Sequence, residues 1–491
     1  MKNARWMMSV ALVIGIIMIC GLMINAEEWS IYGPRAQGMG GAGVATADSN
    51  TAHYWNPGAT SSNKDTGIYI NAAFCTSAEG DILSAVDKVA TTGQGIDWAV
   101  INAGGVISGS DAGKLLNFFS LASTEFSKPG QGLLVSTNAG LSFTIGKFTF
   151  FGNNFIFGNL DPIGDDQNLL INTGASAITD TVGSTSLGSP TNAALASNIA
   201  SQTWWIAGAG NASMQADNLI WLAEAQGADT SDPEVQDGLT LMAQNLAGGD
   251  PARSYQNNQT GVIINGLLLT EFGVSYSKPV IEDMLTVGGN LKLMEGQTFF
   301  KKISYQNLQN TDDMMKDVTD KNAAKTSTAF GVDVGGLLTL SENFHGGLVI
   351  RNLNSPKFSY AGAGDVTLDP QIRAGVSGNV RIPILGKITV AADYDVTKNK
   401  SDLLPGYESQ MFGMGAELNM LMGFLKVRAG TQQNLASDIA QPVLTGGIGI
   451  QLIWLSVDLA GAFSSAKSEV DAGGKEQPQR AAGTLSIALK F

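Results

Sequence analysis

Apolar and polar residues alternate strictly at the end of the chain. Residues 484–491 read Thr-Leu-Ser-Ile-Ala-Leu-Lys-Phe, so Leu485, Ile487, Leu489 and Phe491 fall on one side. Because successive side chains of a β-strand point to opposite faces, this segment predicts a strand with one apolar and one polar face. The pattern recurs along the chain with turn residues between the copies, and it predicts about fourteen strands.

Short and long connections alternate between these predicted strands. The strands are expected near 67–75, 131–145, 147–157, 263–277, 284–297, 327–340, 345–353, 371–381, 387–397, 408–420, 423–432, 442–452, 455–465 and 481–491. Outer-membrane barrels have an even strand number, short periplasmic turns and long extracellular loops. The sequence therefore predicts an all-β fold, a transmembrane antiparallel β-barrel with both termini in the periplasm.

Charged residues share the polar face of the predicted strands. In 387–397, for example, Ile388 and Val390 oppose Thr389 and Asp393. A Lys or Arg that faces lipid at mid-depth costs about 2–4 kcal/mol, so we expect the charged face to line the lumen. The predicted lumenal charges are Lys292, Arg351, Arg373, Lys426, Arg428 and Lys490, together with Glu271, Asp333, Asp393, Asp395, Glu417 and Asp458. Both signs are present, which favours internal ion pairs and a narrow or plugged lumen; alternatively, the charges only stabilise the wall.

The first residues predict export. Lys2 and Arg5 precede an almost continuous apolar run from Trp6 to Ile24, and Ala26 offers a small residue for cleavage. This is the pattern of a secretory signal peptide over 1–26, although the run is also long enough for an uncleaved membrane anchor. With a signal peptide, we expect export through the Sec pathway and a location in the outer membrane, in contact with its lipid.

Composition narrows the function classes. A net charge of −14 and a pI near 4.6 argue against nucleic-acid partners, because phosphates would be repelled. Once Cys20 is removed with the signal peptide, Cys75 is the single remaining thiol. His53 and His345 have no neighbouring pattern of nucleophile and acid, so we expect neither an enzyme nor a metal or cofactor site.

Residues 32–60 contain an ordered series of short motifs. Residues 35–42 read Arg-Ala-Gln-Gly-Met-Gly-Gly-Ala, and Ala47-Asp48 and then Tyr54-Trp55-Asn56-Pro57 follow. The series resembles the N-terminal segment of the FadL-like superfamily of outer-membrane barrels, the long-chain fatty acid transporter type. It looks closest to TraF-like proteins and to PorV-like proteins of type IX secretion. Gly58 is a departure, because the family usually has Ala there.

The resemblance implies a fourteen-stranded barrel whose N-terminal segment folds into the lumen as a hatch. The expected hatch residues are Arg35, Gly38, Gly40, Gly41, Asp48, Tyr54, Trp55, Asn56 and Pro57. Gly38, Gly40 and Gly43 also fit a dinucleotide fingerprint, but no apolar strand precedes them as that motif requires. The chain is thus divided into a signal peptide (1–26), a hatch (27–65) and a barrel (66–491).

Two long insertions, 76–130 and 158–262, interrupt the predicted barrel on its extracellular side. Apolar residues at helical spacing predict helices near 81–91, 192–205, 211–226 and from Val235 onward. In 81–91, the expected buried face holds Ile82, Ala85, Val86 and Val89. These helices are expected to form either a lid for an entering ligand or a packed cap that shields the barrel mouth.

Two functions agree with these features. The first is transport or binding of a hydrophobic small molecule of fatty-acid type. The second is a structural role, in which a TraF-like or PorV-like barrel docks a periplasmic or secretion partner. An apolar pocket between hatch and wall would favour the first, and an exposed apolar patch at the loops or the periplasmic rim would favour the second.

Overall fold

A computed structural model describes most of the chain. The described residues are 28–61, 66–93, 96, 109–165, 168, 185–202, 212–225, 227–248, 257–304, 324–362, 364–437, 441–469 and 476–491. The predicted signal peptide lies outside them. Within them, no helix combines the length and the apolar character needed to cross a bilayer.

Fourteen of the described strands form one closed antiparallel barrel. They are β1 (Gly67–Glu79), β2 (Gly132–Ile145), β3 (Phe148–Ile163), β4 (Gly261–Ile281), β5 (Leu285–Ser304), β6 (Ala324–Ser341), β7 (Phe344–Arg351), β10 (Gln371–Ile382), β11 (Gly386–Asp395), β14 (Met411–Met420), β15 (Leu425–Asn434), β16 (Val443–Gln451), β17 (Leu455–Ser464) and β20 (Arg480–Lys490). Neighbours in sequence pair throughout, and β1 pairs with β20 to close the sheet. The predicted fold class is confirmed.

Among the described residues, three small hairpins lie outside the barrel sheet, and they were not predicted. They are β8 (Lys357–Ser359) with β9 (Asp365–Thr367), β12 (Asn399–Lys400) with β13 (Glu408–Ser409), and β18 (Lys467–Glu469) with β19 (Glu476–Pro478). Strands of two or three residues are too short to give a readable alternation, which is why the sequence pattern missed them.

Connection lengths give the barrel its orientation. Seven long connections alternate with six short ones such as 146–147 and 383–385. By the rule that short turns are periplasmic, the end of the barrel with these turns is assigned to the periplasm. Both insertions begin a few residues later than predicted, because β1 continues to Glu79 and β3 continues to Ile163.

The two faces of each strand separate by polarity. In β11, Val390 is 51% exposed on the outer face, whereas its neighbour Thr389 is 5% exposed and points inward. The last strand behaves in the same way, with Leu485 and Ile487 exposed and Ser486 buried. The outer face is therefore an apolar surface suited to lipid, and the inner face is polar.

We expect Val390→Arg to destabilise the barrel by about 2–4 kcal/mol, because it places a cation on the lipid face near the middle of a spanning strand. Unfolding by denaturant in phosphatidylcholine vesicles measures this change. The matched control is Ile382→Arg at the periplasmic end of β10, where the cost should be about 0–1 kcal/mol. Equal losses in the two variants would contradict the assigned depth.

The two long insertions build a helical cap with its own apolar core. Its helices are α3 (Ile82–Gly93), α4 (Gly109–Glu125), α5 (Ala193–Ala200), α6 (Ala212–Ala225) and α7 (Pro233–Gly248). Buried side chains from all five pack together, among them Val89, Phe118, Ile199, Leu219 and Leu239. Four of the helices were predicted near these positions, but α4 was not.

Two expectations about these helices need correction. The missed helix α4 carries Leu115, Phe118 and Ala122 at helical spacing, so its signal was present in the sequence. In α3, Val86 was expected to be buried but is 38% exposed, because the helix packs along the line of Ile82, Ala85 and Val89.

Candidate functional site in the barrel lumen

The N-terminal segment, residues 28–61, occupies the inside of the barrel. It contains α1 (Pro34–Gly38), α2 (Ala52–Trp55) and a 3-10 turn (Pro57–Ala59), and most of its residues are buried. Helix α1 begins with a proline, whose fixed φ suits the first helical position. α1 contacts β15, β16, β17 and β20, whereas the 3-10 turn contacts β4, β5 and β6, so the segment spans the lumen.

Glycine lies on both sides of the closest approach between this segment and the wall. Gly40 has a φ of +70°, and a Cβ there would overlap the carbonyl oxygen of Thr431. On the wall, a Cβ at Gly415 would lie 2.6 Å from the backbone of Met39, and one at Gly430 would lie 2.5 Å from the nitrogen of Gly40. Backbone therefore packs directly on backbone, which only glycine permits at these distances.

We expect Gly415→Val to push the N-terminal segment away from the wall, at a cost of about 1–3 kcal/mol for the overpacked contact. Limited trypsin digestion should then cleave after Arg35, which the wild-type barrel protects. The control is Gly446→Val, since a Cβ at this outward-facing glycine meets no atom closer than 3.8 Å. Cleavage in both variants, or in neither, would contradict the expected role of the close contact.

Side chains of the wall and of the segment also hold the segment in place by hydrogen bonds. The carboxylate of Asp393 accepts from the backbone N–H groups of Gly43 and Val44, at 2.7 and 2.8 Å. The amide nitrogen of Asn56 donates to the carbonyls of Val44 and of Gly336 in β6, at 3.1 and 3.0 Å. These bonds satisfy backbone groups that would otherwise be buried without partners.

Arg35 joins a chain of buried charges on the wall. Its guanidinium donates to both carboxylate oxygens of Glu417, at 3.2 and 3.1 Å. Glu417 also accepts from Arg428 at 2.7 Å, and Arg428 lies 2.7 Å from Asp458. Four predicted charges therefore form one alternating network that binds segment to wall.

A second network lies across the lumen. The ammonium group of Lys292 is 3.1 Å from Glu271 and 3.0 Å from Asp333, and Arg351 is 3.7 Å from Glu271. All four side chains are nearly fully buried. Asn290 connects this network to the segment, because its amide donates to Asp333 at 2.9 Å and to the carbonyl of His53 at 2.6 Å.

An aromatic cluster of the segment lies between the wall cations. The guanidinium of Arg351 is 4.2 Å from the ring centre of Tyr54, and that of Arg373 is 4.6 Å from Trp29. Trp29 stacks on Trp55 with 6.1 Å between ring centres. Cations over aromatic faces keep a favourable electrostatic partner while they are buried.

The remaining predicted residues have local roles. Within the described part of the chain, Asp48 contacts no wall charge; it accepts from the backbone N–H groups of Asn50 and Thr51. Asp395 pairs with Arg373 at 2.5 Å, and Lys426 donates to Gln451 at 2.9 Å. The remaining hatch positions lie in the same buried segment; these are Gly38, Gly41 and Pro57. Lys490 is half-buried at the end of β20.

A crevice remains between the segment and the extracellular half of the wall. The crevice is narrow, with a cavity volume of about 60 Å³. Apolar lining comes from Ala73, Leu134 and Phe157 of the first three strands, from Ile31 of the segment and from Leu403 of the β12–β13 loop. The loop is fixed over the crevice, because the amides of two inward-facing wall residues donate to its backbone; they are Asn159 and Asn265.

One end of this crevice is polar. Arg480 forms an ion pair with Glu28, and the hydroxyl of Tyr407 donates to the same carboxylate at 2.7 Å. Burial, and then the charge of Glu28, raise the pKa of the Tyr407 hydroxyl well above its ordinary value, so the group stays protonated and remains a donor. The crevice thus combines apolar walls with a charged and hydroxylated end.

Sequence reasoning missed these polar residues. A signal for Arg480 was available, because it lies an even number of positions before Thr484 and Ser486 in the same strand and therefore faces inward as they do. Glu28 and Tyr407 lie outside the barrel strands, where no periodicity marks a lumenal side chain.

Comparisons with known proteins give the following similarities. Residues 160–395 match the model of a family described as the TraF protein of the F plasmid transfer operon. No curated protein matches the chain.

Several solved structures are similar along nearly the whole chain. The CymD monoaromatic hydrocarbon channel has a TM-score of 0.44 and 11% identity, covering 95% of this chain and 99% of that one. The toluene transporter TodX of P. putida has a TM-score of 0.42 and 10% identity, covering 94% and 99%. The toluene transporter TbuX of Ralstonia pickettii has a TM-score of 0.44 and 10% identity, covering 94% and 99%. The family match over 160–395 confirms the predicted resemblance to TraF-like proteins, and the closed fourteen-stranded sheet is the fold that this resemblance implies.

Proposed function

We propose that this barrel binds a hydrophobic or amphipathic small molecule between its N-terminal segment and its wall, and passes it across the outer membrane. The observation that carries the proposal is the narrow crevice with apolar walls and one polar end. Ligand pockets are typically concave and mostly apolar, with a few placed polar groups that orient the ligand. Here Ala73, Leu134 and Phe157 supply the apolar surface, and Arg480 and Tyr407 supply the polar groups.

The route inward is set by the N-terminal segment. Above it, the crevice is lined by the extracellular halves of β1, β2 and β3. At the segment itself, the contacts of Gly40, Asp393 and Glu417 close the space between segment and wall. A ligand in the crevice therefore reaches the periplasm only if the segment shifts, and we propose that the segment acts as the gate as well as one wall of the site.

Neighbouring alanines on β1 offer a matched test. Ala73 points into the crevice, whereas Ala72 is exposed on the outer face. We expect Ala73→Trp to fill the crevice and to weaken binding of N-phenyl-1-naphthylamine by at least about tenfold, or about 1.4 kcal/mol. Ala72→Trp should bind this probe like the wild type, because a tryptophan fits the lipid-facing surface.

The experiment has two readouts, fluorescence titration of the purified barrel in amphipol and uptake of the probe by cells that carry each variant. Loss of both in Ala73→Trp, with both retained in Ala72→Trp, is the expected result. Wild-type binding by Ala73→Trp would overturn the proposed site. Lost binding with unchanged uptake would show that passage does not use the crevice.

A further inference from the structure

Two neighbouring periplasmic turns present apolar side chains to solvent. At the tips of the β10–β11 and β14–β15 turns, Ile384 and Met422 are 109% and 108% exposed. Leu385 and Leu421 beside them are 44% and 68% exposed. Together these four side chains on adjacent turns form an exposed apolar projection, and such patches often mark interaction sites.

Backbone geometry does not account for these residues. Ile384, Leu421 and Met422 have φ values of 74°, 50° and 56°. Positive φ favours glycine or asparagine, and it is a real outlier for a β-branched residue such as isoleucine. Polar residues or glycine would suit both the turn conformation and the contact with water better than these apolar side chains do. An apolar side chain at each tip therefore requires another explanation.

Two cations lie directly beside the apolar tips. Arg381 and Lys387 are opposite each other in the β10–β11 pairing, and both are exposed. Like charges opposite each other destabilise an antiparallel pair. Among the described residues, neither cation has an ion-pair partner, in contrast to the buried arginines deeper in the lumen.

The cations point toward the barrel mouth rather than toward lipid. Arg381 shares the parity of Ser377, and Lys387 shares that of Thr389; both of these residues are buried on the inner face. Lipid headgroups surround the outer face, so they are poorly placed to neutralise the two cations. The apolar tips and the cations meet in one cleft between the turns, with a volume of about 700 Å³.

We propose that this periplasmic cleft binds a segment of a periplasmic protein in which carboxylates alternate with apolar side chains. The carboxylates would neutralise Arg381 and Lys387, and the apolar side chains would cover Ile384 and Met422. The cleft lies at the opposite end of the barrel from the crevice proposed for small molecules. The two proposals are therefore independent, and either can fail alone.

A peptide of six Glu-Leu repeats, labelled with fluorescein, serves as the probe. The full barrel in phosphatidylcholine nanodiscs should raise its fluorescence anisotropy, while empty nanodiscs and a Lys-Leu peptide should give no binding. Arg381→Glu with Lys387→Glu should weaken binding by at least about tenfold. Met422→Ser should weaken it as well. The control Lys357→Glu changes an exposed cation of the β8–β9 hairpin and should have no effect.

Equal binding of both peptides, or no change in the charge-reversed variant, would overturn the proposal. A second measurement tests the lipid alternative. With Cys75 replaced by serine, a bimane label on Met422→Cys should be quenched by aqueous iodide and not by brominated lipid. Val427→Cys, which lies on the outer face, should give the reverse. Quenching of the Met422 label by brominated lipid would place the tip in the bilayer and exclude the protein partner.

Discussion

Deleting residues 32–56 is expected to convert the barrel into an open, water-filled pore. Side chains alone fill the interior of a barrel of about eight strands, whereas a fourteen-stranded barrel is wider. In this protein, the N-terminal segment and its contacts occupy that extra space. Single-channel recordings in planar bilayers should therefore show a large rise in conductance, with the variant still folded as a heat-modifiable barrel.

The control deletion removes 467–478, the β18–β19 hairpin. It lies outside the barrel sheet and carries the exposed ion pair of Lys467 and Glu476, so its loss should leave conductance unchanged. If the deletion of 32–56 also left conductance unchanged, another part of the chain would have to fill the lumen. The role of the segment as gate would then be wrong, although the periplasmic cleft would be unaffected.

Lys292→Met is expected to destabilise the barrel by about 3–5 kcal/mol. The substitution leaves Glu271 and Asp333 buried with only Arg351 to balance them, and an uncompensated buried charge has a cost of this size. Denaturant unfolding in phosphatidylcholine vesicles measures the loss. Lys467→Met, at an exposed ion pair, should cost no more than about 1 kcal/mol.

A double-mutant cycle separates charge from packing in this network. Glu271→Gln combined with Lys292→Met restores a neutral pair of Arg351 and Asp333. The double variant should therefore lose less than the sum of the two single losses. Strict additivity would indicate that Lys292 contributes through packing of its alkyl chain rather than through its charge.

The barrel could be predicted because its signal is periodic. Lipid on one side and a polar lumen on the other impose alternation on every spanning strand, as Val390 and Thr389 illustrate. The short hairpins were not predicted, because a strand of two or three residues is too short to show an alternation of apolar and polar residues. Helix α4 was overlooked within a long insertion, although its apolar spacing was readable.

The candidate site was only partly accessible to sequence reasoning. Parity predicts which side chains of a strand face inward, but it does not predict which strands they meet across the lumen. Arg35 and Glu417, for example, are separated by 382 positions along the chain. The crevice depends on Glu28 and Tyr407, whose positions follow from the packing of irregular segments and from no periodic pattern.

The enclosed N-terminal segment has a consequence for biogenesis. Its bonds reach β6, β11 and β14, yet the sheet is completed only when β1 meets β20. After β1 and β20 have paired, residues 33–44 would have to enter a closed barrel and pack their glycines against the glycines of the wall. We therefore expect the segment to dock on the sheet before the sheet closes. Pairing of β1 with β20 would then be the last step, and it would enclose the segment. Variants that slow docking of the segment should then pass through a longer-lived unsealed sheet during insertion, whereas a chain that lacks the segment has nothing to enclose and closes as an empty barrel.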